Sequence, residues 1–119
     1  MSTKTLTPSV KSLLEQVGIE DHDELLIKIK GETVEGSLRW QLWSAFNDLQ
    51  DSERFYTQAL DRIEEYIKGE KTRLAGAYRV DPVWIIQSAK ELELENRKMT
   101  NAIETINNTD KLLKMLTAE

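Results

Sequence analysis

Between Ser37 and Leu74 the apolar side chains recur every three or four residues. Positions 42, 46, 49, 53, 56, 60, 63, 67, 70 and 74 hold Leu42, Phe46, Leu49, Glu53, Tyr56, Leu60, Ile63, Ile67, Glu70 and Leu74. Eight of those ten are apolar, and Leu38, Ala45, Ala59 and Tyr66 widen the stripe on one flank. A stripe this broad marks the face of a bundle helix, wider than the two-position seam of a strict coiled coil. The last third repeats the pattern with Ile85, Ala89, Leu92, Asn96, Met99, Ile103, Ile106, Asp110, Leu113 and Thr117. Seven of those ten are apolar, and the pattern weakens toward the end. Glu64 with Lys68, Glu93 with Arg97 and Asp110 with Lys114 sit four residues apart, the spacing at which charges pair on a helix surface.

Punctuation places the ends of the elements. Thr7 before Pro8 reads as an N-cap and first helical residue, and the helix through Val10, Leu13, Leu14 and Val17 closes at Gly18. Asp81-Pro82 opens the last long segment in the same way. In residues 19–36, Asp21 with Glu24 makes a capping pair, and Gly31 can close a short helix over Leu25, Leu26 and Ile29. Leu26-Ile27-Lys28-Ile29-Lys30 also partly alternates, so a strand from Leu25 to Lys30 turning back through Val34 is the alternative. The helix is preferred, because a lone hairpin of strands is weakly stable. Asn107-Asn108-Thr109-Asp110 reads as a break, with Leu112, Leu113 and Leu116 forming a short terminal helix after it.

The expected fold is all-α: a segment of two short helices over 1–36, then an elongated antiparallel helical hairpin over 37–119. Its arms span roughly 37–75 and 82–108. A helix from 37 to 74 is about 57 Å long at about 1.5 Å per residue, whereas a compact domain of 119 residues has a radius of gyration of about 13–14 Å. Three outcomes accommodate that length: a protruding hairpin, a break near Gly69, or a neighbouring chain that covers the overhang. Two helices cannot cover both wide apolar faces, so completion by oligomerisation is expected.

Composition removes chemistry from consideration. With no cysteine there is no disulfide framework, thiolate metal site or cysteine nucleophile, and a single histidine argues against zinc. Five glycines and two prolines are too few for a turn-dense β fold. No nucleophile elbow, phosphate-binding glycine loop or metalloprotease helix motif occurs. No catalytic, cofactor-binding or metal-ligating set is assigned, and a non-enzymatic role without a small-molecule substrate is expected. Sixteen basic and 21 acidic side chains leave a net charge of −5, which disfavours a global nucleic-acid or anionic-membrane binder. The sequence shows no signal-peptide pattern and no membrane-length apolar run. The expected location is therefore the cytoplasm or an assembled particle.

Four features remain as candidate sites. Glu20-Asp21-His22-Asp23-Glu24 joins carboxylates to the one histidine, but it lacks the ligand spacing of a calcium loop. The preferred reading is acidic residues at the positive end of a helix. Lys68, Lys71, Arg73 and Arg79 gather around the helix connector with Tyr78 among them, a pattern able to touch phosphates or stack a base. Glu64, Glu65 and Glu70 dilute it, so the plainer reading is a solvated basic helix end. Trp40, Trp84 and Leu94 lie off the main stripes as core or interface anchors, with Trp84 at least as well suited to the core. Trp43, beside Phe46, reads as core. Asn96, on the stripe between Leu92 and Met99, can fix the register of a helix assembly or mark a wet stretch of its seam.

The function expected from this set is protein–protein interaction or assembly through apolar helix faces, as a structural component, adaptor or small regulator. The partner is a second copy or a different protein. Two alternatives are a nucleic-acid-associated protein using the connector over 68–79, and an acidic decoy of a nucleic-acid-binding partner.

Overall fold

The computed structural model describes residues 6–27, 31–74 and 83–118, with side chains of the middle segment described through residue 69. Four helices follow in order: α1 (Pro8–Val17), α2 (Glu24–Ile27), α3 (Val34–Leu74) and α4 (Val83–Thr117). No strand occurs among the described residues, and α3 and α4 pack on each other as a long hairpin. The molecule measures 70 × 26 × 23 Å, with a radius of gyration of 19.4 Å. It is far longer than a compact chain of its size.

Local signals set α1 as expected at its C-terminus. Gly18 adopts the left-handed conformation at φ 77°, its N–H donates to the Glu15 carbonyl, and the Ile19 N–H donates to the Leu14 carbonyl. That pair of bonds is the Schellman closure, which a residue without Cβ adopts at low cost. The N-terminus is built differently. Thr7 has the extended backbone of an N-cap, but its side chain makes no capping bond, and its hydroxyl is buried without a partner. Glu53 of α3 takes over that task. Its carboxylate accepts from the Ser9 N–H at 3.3–3.4 Å and from the Ser9 hydroxyl at 3.0 Å. A negative charge at the positive end of α1 is thus supplied across the tertiary fold.

Val10, Leu13, Leu14 and Val17 line one face of α1 and are buried. With Leu25 of α2 they join Leu42, Ala45, Phe46, Leu49, Ala102, Ile106 and Leu113 in one core. This core lies at the open end of the hairpin, where the N-terminal helices pack. Residues 19–36 contain the short helix α2, with Leu25 buried, and Gly31 turns the chain at φ 65°. Ile29 lies outside the described residues.

The long helices differ from expectation in two ways. First, α3 begins at Val34, three residues early. The Thr33 hydroxyl accepts the Gly36 N–H at 2.9 Å, which caps the helix, and Glu35 pairs with Arg39 in its first turn. Of the outcomes left open by its length, the break near Gly69 does not occur, and α3 runs unbroken through it. Second, α4 runs unbroken through Asn107–Asp110 to Thr117, so no separate terminal helix exists. Ile106, Thr109 and Leu113 stay buried along that stretch, and Asp110 bonds Lys114 at 3.0 Å. Packing there overrides the weak helix preference of asparagine.

The seam between α3 and α4 is also rotated from the apolar stripe. Its α3 side buries Leu42, Ala45, Leu49, Ser52 and Ala59, and its α4 side buries Ser88, Glu95, Ala102, Ile106, Thr109 and Leu113. Of the expected stripes the seam buries Leu42 and Leu49 on α3 and Ile106 and Leu113 on α4. The intervening stripe positions, such as 46, 53 and 60, turn toward an adjoining flank, and the small or polar residues one position earlier take their place. At about 100° per residue this turns the buried stripe by roughly 50°. Small side chains allow two helix backbones to approach closely, which a search for large apolar residues overlooks. Asn96 is exposed, so it does not set a register inside this seam. Its neighbour Glu95 is the buried ionisable residue among the described side chains of the seam.

The bond between Glu53 and Ser9 yields the first prediction. Glu53→Ala lowers folding stability by about 1–2 kcal/mol, the usual worth of a charged helix cap. Ser9→Ala in the same background costs less than it does alone. Urea denaturation of the two single variants and the double variant measures this coupling.

Candidate functional site

The rotation of the seam creates two unlike flanks. On one, Phe46 and Glu53 of α3 lie under the N-terminal helices. The His22 segment closes the same side: His22 is buried, its ring centroid 5.9 Å from that of Phe46, and its Nε2 lies 3.4 Å from Asn47 Oδ1. The half-buried Trp43 donates from Nε1 to Asp23 Oδ1 at 2.9 Å, and the Asp23 N–H donates to Asp21 Oδ1. The acidic cluster is thus tied into packing and turn formation. Among the described residues no three His, Asp or Glu side chains are grouped to hold a metal ion.

The opposite flank carries a groove of about 600 Å³ between α3 and α4. No residue of α1 or α2 lines it. Its floor includes the small seam residues Ala45, Ser52 and Ala102, and Trp40 and Phe55 stand along it on α3. The two rings are 15 residues apart, about four turns along one helix. Trp40 exposes 55% of its surface, and Phe55 is similarly open.

Of the four ionisable residues in the groove's lining, three are acidic. Asp48 and Asp51 come from α3, and Glu95 with Lys98 comes from α4. Glu95 is only 8% exposed. Its Oε1 lies 3.4 Å from Lys98 Nζ, while Oε2 is buried with no hydrogen-bond partner. A carboxylate placed in the seam with one oxygen unpaired is destabilising, because desolvation is only partly offset. It occupies a position where α4 otherwise buries Ser88, Ala102 and Thr109 at intervals of seven.

The residues singled out in the sequence do not all meet here. Trp40 lines the groove, while Trp84 and Leu94 are half exposed elsewhere on the hairpin. Trp84 is therefore not a core residue, at 52% exposed. Lys68 is exposed and pairs with Glu64 at 3.2 Å. The side chains of Lys71 and Arg73, and all of Tyr78 and Arg79, lie outside the described residues. Sequence reasoning missed Phe55, Asp48, Asp51 and Glu95. A usable signal existed in Ser88, Glu95, Ala102 and Thr109, a run of small or polar residues seven apart beside the apolar stripe.

Beyond the N-terminal helices the first flank is open too. Leu60 and Ile67, which the apolar stripe assigns to the core, are each 44% exposed. Half-exposed Ile86 and the exposed Leu112 and Met115 add apolar surface along α4. Among the described residues no helix is long and apolar enough to cross a membrane. No protein-family model, curated protein or solved structure matches the chain.

The exposure of Lys98 separates the two oxygens of Glu95 in their consequences. Removing the carboxylate leaves no buried cation behind. Glu95→Met is therefore neutral or stabilising, by up to about 2 kcal/mol. Urea and thermal denaturation of the variant against the parent chain give the sign, which is opposite to that expected for Glu53→Ala.

Proposed function

We propose that this protein is a non-enzymatic interaction or assembly component that binds polypeptide through the apolar surfaces of its helical hairpin. The observation that carries this reading is the surplus of large apolar side chains left open on α3 and α4. Trp40, Phe55, Trp84, Ile86, Leu94 and Leu112 are each about half exposed. Isolated surface apolar residues are ordinary, but a set of aromatic and aliphatic side chains along one rod is the composition of a docking surface. The small N-terminal helices cover one flank at one end, and the remaining length is left for a partner. A second copy and a different protein both suit this role.

Sedimentation equilibrium across the micromolar range tests it, alongside purification from the native source with partner identification. The expected result is a species heavier than the 13.7 kDa chain, reached by self-association or with a stoichiometric partner. The double variant Trp84→Ser, Leu94→Ser then weakens that association at least ~10-fold while the helix content by circular dichroism stays the same. A monomer at all concentrations, with no stoichiometric partner, overturns the reading.

A further inference from the structure

The groove beside Glu95 has features that an undirected apolar surface does not need. It runs from Trp40 to Phe55, about 22 Å at about 1.5 Å per residue, which is the length of a helix of about 15 residues. It lies on the side of the hairpin that α1 and α2 leave open, so its occupant would be a third bundle helix there, as α1 is on the opposite flank. Its ionisable lining is Asp48, Asp51 and Glu95 against Lys98, a net of −2. Most significantly, Glu95 Oε2 is buried and unpaired.

We propose that this groove binds a basic amphipathic helix of a partner protein, with one lysine or arginine of that helix reaching Glu95. This rests on the interaction reading above and names the partner's chemistry. A helix is the suitable form because it satisfies its own backbone hydrogen bonds and can lie on the apolar floor over Ala45 and Ala102. A cation is the suitable side chain at Glu95 because it gives Oε2 the donor it lacks. The exposed faces of Trp40 and Phe55, about 22 Å apart along α3, suit further cations of the same helix. Asp48 and Asp51 favour further basic residues on the rim of the same helix.

The test is a selection from a displayed library of 16-residue helices. The helices carry a constant leucine and alanine face in which one central position is fully randomised, and the target is the intact chain. The expected binders carry lysine or arginine at that position. Their affinity falls at least ~10-fold when the selected cation is changed to methionine, and to a similar degree with Glu95→Gln. The two changes together cost little more than either alone. Trp40→Ala and Phe55→Ala weaken the same binders, and circular dichroism establishes that each variant is folded. Purely apolar binders, or binders indifferent to Glu95→Gln, overturn the inference and leave the interaction reading standing. So does a selection that yields no helix while the chain associates in the sedimentation experiment. Failure of both experiments removes both readings.

Discussion

A pair of antiparallel helices buries one stripe on each, and everything else in this molecule follows from how narrow that stripe is. The seam of α3 and α4 is built largely from alanine, serine and threonine alternating with leucine and isoleucine. Such a seam brings the helices together without consuming their largest apolar residues. Those residues are pushed to the flanks. There they either meet another element, as Phe46 does beneath the N-terminal helices, or face solvent, as Leu60 and Ile67 do. The core beneath the N-terminal helices and the open apolar surface elsewhere on the hairpin are two results of one packing choice.

The N-terminal segment is held to that core by two different forces. Its apolar face supplies the area, and the carboxylate of Glu53 ties the first turn of the helix to α3. The two carboxylates on the hairpin illustrate opposite uses of the same group. Glu53 meets three donor–acceptor contacts at a helix N-terminus and holds two elements together. Glu95 sits deep in the seam with one oxygen unanswered, where an apolar residue would serve folding better.

Much of the architecture was legible in the sequence. The Pro8 start, the Gly18 stop and the two long apolar periodicities each have a single short-range cause, and they lead directly to the all-α hairpin with its two short N-terminal helices. The rest depended on contacts between distant residues. Glu53 interrupts an apolar stripe, and nothing local reveals that the N-terminus of α1 lies above it. The Asn107–Asp110 stretch has the local chemistry of a break, but Ile106 and Leu113 on either side keep it helical by packing. The groove was hidden for the same reason: a stripe read from the largest residues misses a seam made of small ones, and a rotation of roughly 50° decides which flank is open. Of its residues, only Trp40 drew attention by its position off the stripe.

The distribution of burial along the hairpin gives the molecule a gradient of rigidity. Among the described side chains of α3, none beyond Ala59 is buried, and on α4 Ser88 is the only buried residue before Glu95. Amide protons near the core should therefore exchange only on global unfolding, whereas those toward the far end of the rod open through fraying. A stiff foot carrying a softer stem has a consequence for recognition. Any chain that lies against the stem also sets its order, and so the energy of that contact is divided between holding the partner and completing the fold.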